Sequence, residues 1–252
     1  MTVATMNISG RVEETENDVE EGSIRGLVKA TGLMYLVLLV LGMFSPLVLE
    51  SLVVAGSATE TAENLLNSKG LFGFSLVTWF AIVAVDVAIS VTLYQVFAKS
   101  GRTIALIASG FRIVYAAVLG SFLLDLYGVY GLLNASEGLV GADLAQNYAA
   151  VLAGVESFMS GFQLALMFFG INMVLLGVAV WRSGYFPKVI GAVLTVAGFG
   201  YLIDSLTIFL TSNHNDSLSI ALLMPALIGE VALTVWLLAK GRKVSELEAA
   251  AE

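Results

Sequence analysis

Asp86, Arg112 and Glu230 are ionisable side chains set inside long apolar runs of the chain. A charge at mid-bilayer depth costs at least about 2.5 to 3.5 kcal/mol on insertion scales, so such groups persist when they are paired or functional. One cation and two acids offer two kinds of chemistry. The arginine can pair with an acid and lock helices together, because breaking a buried pair is costly even where forming it adds little. The second acid would then titrate as part of a coupled set. A carboxyl that takes up and releases a proton at mid-depth is what a proton-coupled transporter needs.

Depth tells whether the three groups can meet. Asp86 stands 11 residues from Phe97, Arg112 stands 9 from Thr103, and Glu230 stands 9 from Ala239. At about 1.5 Å per residue, all three lie roughly 13 to 17 Å from the same side. Asn172 adds a neutral polar group near that level, with Gln163 farther out. Glu50, Asp125, Glu156, Asp204 and the sole histidine, His214, form a layer toward the opposite side. They would rim an outer vestibule if their faces converged.

The elements that carry these groups follow from composition. The 252 residues are 58% hydrophobic and 13% charged, against about a quarter charged in a soluble domain, so the chain reads as a membrane protein. Apolar runs long enough to cross about 30 Å of hydrocarbon occur near 27–54, 71–97, 103–133, 149–181, 189–210 and 218–239. The expected fold is an all-α, multi-pass bundle of six transmembrane helices. Residues 1–24 form an acidic segment expected to be a disordered, solvated tail, 25–241 the transmembrane domain and 242–252 a short second tail.

With six spans, Arg11, Arg25, Lys29, Lys99, Arg102, Arg182, Lys188, Lys240, Arg242 and Lys243 share one side, and Lys69 stands alone on the other. This asymmetry predicts cytoplasmic termini in a cell membrane. Ser57 and Glu60 read as a capping box opening a short amphipathic helix on the outer side, and 134–147 reads as a partly ordered outer loop. Tyr185 and Phe186 suit the headgroup level, and Trp79, Trp181 and Trp236 read as interfacial anchors or packing groups. Ala116 with Gly120 and Ser157 with Gly161 allow close helix contact, and Pro46 and Pro225 can kink the first and sixth spans. A faint echo links Asp86-Val-Ala, Leu93-Tyr and Ala98-Lys-Ser-Gly-Arg102 to Glu230-Val-Ala, Trp236-Leu and Ala239-Lys-Gly-Arg242.

Several segments together carry a resemblance: Gly32-Leu-Met-Tyr35, Ser109-Gly-Phe-Arg-Ile113, Arg182-Ser-Gly-Tyr-Phe-Pro187, Gly200-Tyr-Leu-Ile-Asp-Ser205, and Pro225-Ala-Leu-Ile-Gly-Glu230 with Trp236-Leu-Leu. From about Gly26 to Lys243 the chain resembles DUF4386, a family of prokaryotic multi-pass membrane proteins. The resemblance implies an inner-membrane protein and assigns no catalytic residue.

The absence of cysteine removes thiol chemistry, and a single histidine cannot build a multi-His metal centre. No P-loop, HExxH or dinucleotide fingerprint is present, so no metal or cofactor is expected. A net charge of -8 argues against nucleic acid, which leaves the lipid bilayer and a small molecule or proton as partners. The reading is a small transporter or ligand-binding membrane protein built on Asp86, Arg112, Glu230 and Asn172. The alternative is a structural or signalling protein whose buried charges only lock the bundle, and a lipid-acting enzyme using the outer carboxylates stands third.

Overall fold

The computed structural model describes the backbone of residues 2–210 and 216–249, and side chains over 26–210, Phe209 excepted, and 219–239. The side chains of the acidic segment at 1–25 lie outside the described residues, and so does His214; the expectations for a solvated tail and an outer-side histidine fall there.

Six helices and no strand occur among the described residues: α1 (Thr2–Leu52), α2 (Ala58–Asn67), α3 (Lys69–Ala135), α4 (Gly141–Arg182), α5 (Lys188–Leu210) and α6 (Asp216–Ala249). Five of them are long and apolar enough to cross a membrane. The sixth span comes from α3, whose 67 residues would reach about 100 Å if straight. Instead the chain turns at Gly101, where φ is 157° and ψ is 85°, in the middle of the Lys99 to Arg102 link. The arms at 69–100 and 102–135 fold back on each other. Ser90 Oγ donates to the Ser109 carbonyl at 2.9 Å, Val83 packs over Gly120, and Tyr130 over Gly73. Each pair straddles Gly101 at nearly equal separation, as an antiparallel hairpin requires. The protein is therefore a multi-pass all-α membrane protein with six crossings.

Helices α4 and α5 approach backbone to backbone. A Cβ on Gly177 would stand 2.6 Å from the Gly191 carbonyl, and one on Gly198 would stand 2.6 Å from the Gly170 carbonyl. Two glycines one heptad apart on each helix, Gly170 and Gly177 on α4 and Gly191 and Gly198 on α5, thus make a seam that no larger residue can occupy. The contacts expected at Ala116 with Gly120 and Ser157 with Gly161 also form: Ala116 is fully buried, and Gly161 takes the Phe122 ring.

At the end opposite the Lys99 to Arg102 link, Ser57 Oγ accepts from the Glu60 amide at 3.4 Å and opens α2. Thr61 exchanges hydrogen bonds with Val54, and Asn64 Nδ2 donates to the Leu52 carbonyl at 3.3 Å, so α2 satisfies the C-terminal end of α1. The outer loop expected at 134–147 is shorter, because α4 already begins at Gly141 with Asp143 in its first turn. A carboxylate there complements the helix dipole, which favours the early start.

The basic end is closed. Tyr185 Oη and Ser100 Oγ share a 2.6 Å hydrogen bond, and the same hydroxyl reaches the Val96 carbonyl at 3.3 Å. Phe186 stacks on Phe97 and Trp236, with ring centroids 5.1 and 4.5 Å apart. Phe186 is thus buried between the α4–α5 turn, the α3 hairpin and α6. Trp79 is likewise buried, with Phe158 and Phe162 packed edge-on at 5.0 and 5.1 Å.

Candidate functional site

Hairpin register decides the centre of the molecule. Folding α3 at Gly101 sets the first arm against the second so that Asp86 meets Arg112, with Arg112 Nη2 2.6 Å from Asp86 Oδ1. The two side chains are 1% and 0% exposed. Arg112 Nη1 also donates to Tyr35 Oη on α1 at 3.0 Å. Its guanidinium lies 5.1 Å from the Tyr35 ring centroid and 5.2 Å from that of Phe169 on α4. An arginine held by an acid, a phenol and two ring faces has replaced its hydration shell with fixed groups.

Glu230 comes from α6. It makes no direct ion pair with Arg112, but it lies within electrostatic reach of both Arg112 and Asp86. Its Oε1 is buried without a hydrogen-bond partner among the described residues, and so is Asp86 Oδ2. A buried acceptor left unmatched is costly, so both atoms mark a place where a donor is wanted.

Asp86 and Glu230 face one cavity of about 450 Å³. Tyr115 and Tyr201 complete its polar floor, and the rings of Tyr115, Phe169 and Tyr201 form a continuous wall with centroid spacings of 4.9 and 5.3 Å. Apart from Ser219 the rest of the lining is apolar, drawn largely from α1 and α6. A second cavity of about 260 Å³ adjoins it, with Glu50 and Gln163 in its lining. Pro46, Trp79 and Phe162 border both, so the edge-on Trp79 and Phe162 pair partitions one from the other.

The structure brings Asp86, Arg112 and Glu230 to one level and keeps Asn172 to one side. Asn172 is buried, and its amide donates to the Ala108 carbonyl at 2.8 Å, one turn before Arg112. It clips α4 to the second arm of α3. The outer carboxylates take four different settings. Glu50 lines the second cavity, Asp125 accepts from Ser157 Oγ at 2.7 Å, Glu156 is exposed, and Asp204 is buried in α5.

Three tyrosines were not singled out from the sequence. Tyr35 lies 9 residues beyond Gly26, the same count that places Arg112 beyond Thr103, so the depth count that found the charges could have found it. Tyr115 and Tyr201 had no comparable signal, because an isolated tyrosine in an apolar run reads as an interfacial ring. Among the described residues, no group of three or more His, Asp or Glu could hold a metal ion.

An uncharacterized protein of Archaeoglobus fulgidus (strain ATCC 49558 / DSM 4304 / JCM 9628 / NBRC 100126 / VC-16) is 34% identical over 183 residues, which cover 73% of this chain and 93% of that relative. No solved structure matches the chain. Residues 30–241 match the family described as Domain of unknown function (DUF4386), and the chain belongs to that family.

Proposed function

We propose that this protein is a small transporter or ligand-binding protein of the cytoplasmic membrane, with both termini cytoplasmic, and that Asp86, Arg112 and Glu230 form its central polar site. One observation carries the reading: the buried Asp86–Arg112 pair opens onto a cavity that also holds a second, unpaired carboxylate. A pair needed only to hold helices gains nothing from bordering empty volume. The arrangement also supports coupling to protons, because Glu230 answers to Arg112 electrostatically without being tied to it by a hydrogen bond. A closed basic end and a cavity toward the other end are what one half of an alternating-access cycle requires. Lys29, Lys99, Arg102, Arg182 and Lys188 at the closed end support cytoplasmic termini.

Flux in proteoliposomes tests this. Purified protein should carry protons or solute down an imposed gradient, and Glu230→Gln should lose flux while its melting temperature holds. Flux that is absent under every gradient, with Glu230→Gln melting far below wild type, refutes transport.

The second reading is a bundle lock, and the packing of Arg112 favours it. The guanidinium is held by Asp86, Tyr35 and the Phe169 ring, although its Nε has no hydrogen-bond partner among the described residues. It is also absent from the cavity wall that Asp86 and Glu230 share. The two readings meet if Arg112 is the fixed post and the carboxylates are the working groups.

A further inference from the structure

We propose that the central cavity binds a hydrophobic monovalent cation that reaches it sideways from the bilayer, between α1 and α6. The proposal rests on the ligand-binding reading above and names the ligand's chemistry and its route.

The route follows from how the two helices diverge. In their inner halves α1 and α6 touch: a Cβ on Gly32 would stand 3.0 Å from Leu237 and Leu238. Farther out, from Leu38 to Pro46 on α1 and from Glu230 back to Ser219 on α6, the cavity lies between them. Met43 and Met224 line it, and at 58% and 54% exposed they stand at its rim. Ile220 and Leu227 do the same. The side chains around these four on the outer surface are Val40, Leu47 and Ile228, so the mouth faces hydrocarbon. A water-soluble solute would have to cross acyl chains to use it, whereas an amphiphile already in the leaflet would not.

The charge of the ligand follows from the floor. Two carboxylates line the cavity against one guanidinium, and that guanidinium pairs with Asp86 and Tyr35 and does not itself line it. Glu230 Oε1 and Asp86 Oδ2 remain as acceptors without donors. Above them the walls are ring faces and edges from Trp79, Tyr115, Phe162, Phe169 and Tyr201. Aromatic faces beside an unmatched carboxylate attract a poorly hydrated cation. They repel an anion, and a neutral lipid tail would leave both acceptors unsatisfied.

Tetraphenylphosphonium and tetraphenylborate, nearly identical in shape and opposite in charge, test the proposal by equilibrium dialysis against detergent-purified protein. The cation should bind saturably at one site and at least about tenfold more tightly than the anion, the effect expected of one charge-assisted contact. Glu230→Gln, with an unchanged melting temperature, should erase that preference. Gly42→Trp fills the mouth while keeping every carboxylate, and a side chain at Gly42 meets nothing within 4 Å, so it should fold and lose saturable binding. The chain contains no cysteine, so Met43→Cys with Met224→Cys can be bridged by a bismaleimide; the bridge should slow cation binding several-fold, and each single variant should not.

Equal binding of the two ions, or preference for the anion, overturns the charge assignment and leaves ligand binding standing. Unchanged binding in Gly42→Trp or in the bridged variant overturns the route. Retained phospholipid that neither ion displaces makes a lipid the occupant and overturns the proposal. Saturable cation binding without any flux in proteoliposomes removes the transporter and keeps this inference.

Discussion

Replacing Arg112 by Ala tests the centre of the molecule most directly. The substitution leaves Asp86 as a buried charge without a partner, which by itself costs about 3 to 5 kcal/mol. It also strips Tyr35 Oη of its donor and opens a cavity where a fully buried side chain stood. These losses share one site and do not add freely, so the net expectation is about 4 kcal/mol, close to the whole stability of many domains. Folded yield after detergent extraction, followed by reversible unfolding in mixed micelles, reads the loss. The double variant Arg112→Ala with Asp86→Asn removes the orphaned charge and should recover about 2 kcal/mol. Arg112→Ala with Glu230→Gln should recover less, because Glu230 makes no direct ion pair with the arginine. If Arg112→Ala is as stable as wild type, or if neither double variant regains folded protein, the pair does not stabilise the bundle and the argument from buried charge fails.

Three further outcomes follow from the packing. Gly198→Ala drives a methyl to within 2.6 Å of the Gly170 carbonyl, so α4 and α5 must separate; a loss of about 1 to 3 kcal/mol is expected in the same unfolding assay, and a neutral result would remove the glycine seam as a constraint. Tyr185→Phe takes away the hydroxyl shared with Ser100 and Val96, at about 1 kcal/mol, and should raise thiol labelling of a cysteine placed at Phe97 from the basic side. Unchanged labelling would mean that Phe186 alone holds that end shut. Trp79→Ala removes the partition between the two cavities, at about 3 to 5 kcal/mol for a buried large-to-small change, and should speed exchange of a bound hydrophobic cation several-fold; slower exchange would contradict the assigned partition.

The sequence was most informative where physics is one-dimensional. Helical rise is fixed and the spans share two end planes, so counting residues from each end put Asp86, Arg112 and Glu230 at one level before any packing was known. The break between the apolar runs at 71–97 and 103–133 likewise placed a link there, and Gly101 supplies its turn. Rotation about each helix axis was harder to read. Asn172 shares the depth of the charges yet faces Ala108, because its direction depends on how α4 rolls against the hairpin. The same uncertainty hid the glycine seam: Gly191 and Gly198 were visible, but not that Gly177 and Gly170 would face them. Aromatic residues misled for a related reason. Phe186 carries the composition of an interfacial residue, and only the fold of the hairpin puts Phe97 and Trp236 around it. The cavity depends on two helices diverging after they touch, which no single span encodes.

The echo between the second and sixth spans acquires a physical meaning at the cavity. Asp86 and Glu230 open the two similar segments and line the same cavity. Their neighbours differ. The segment after Asp86 continues through Gly101 into a second arm that returns Arg112 to it, whereas α6 has no returning partner among the described residues. Two equivalent carboxylates thus become unequal through connectivity alone. One is fixed by a covalently tethered arginine, and the other keeps an acceptor open to whatever fills the cavity. Moving Arg112 would free both acids and cost the fold, so any cycle of binding and release has to run through Glu230 and the diverging halves of α1 and α6.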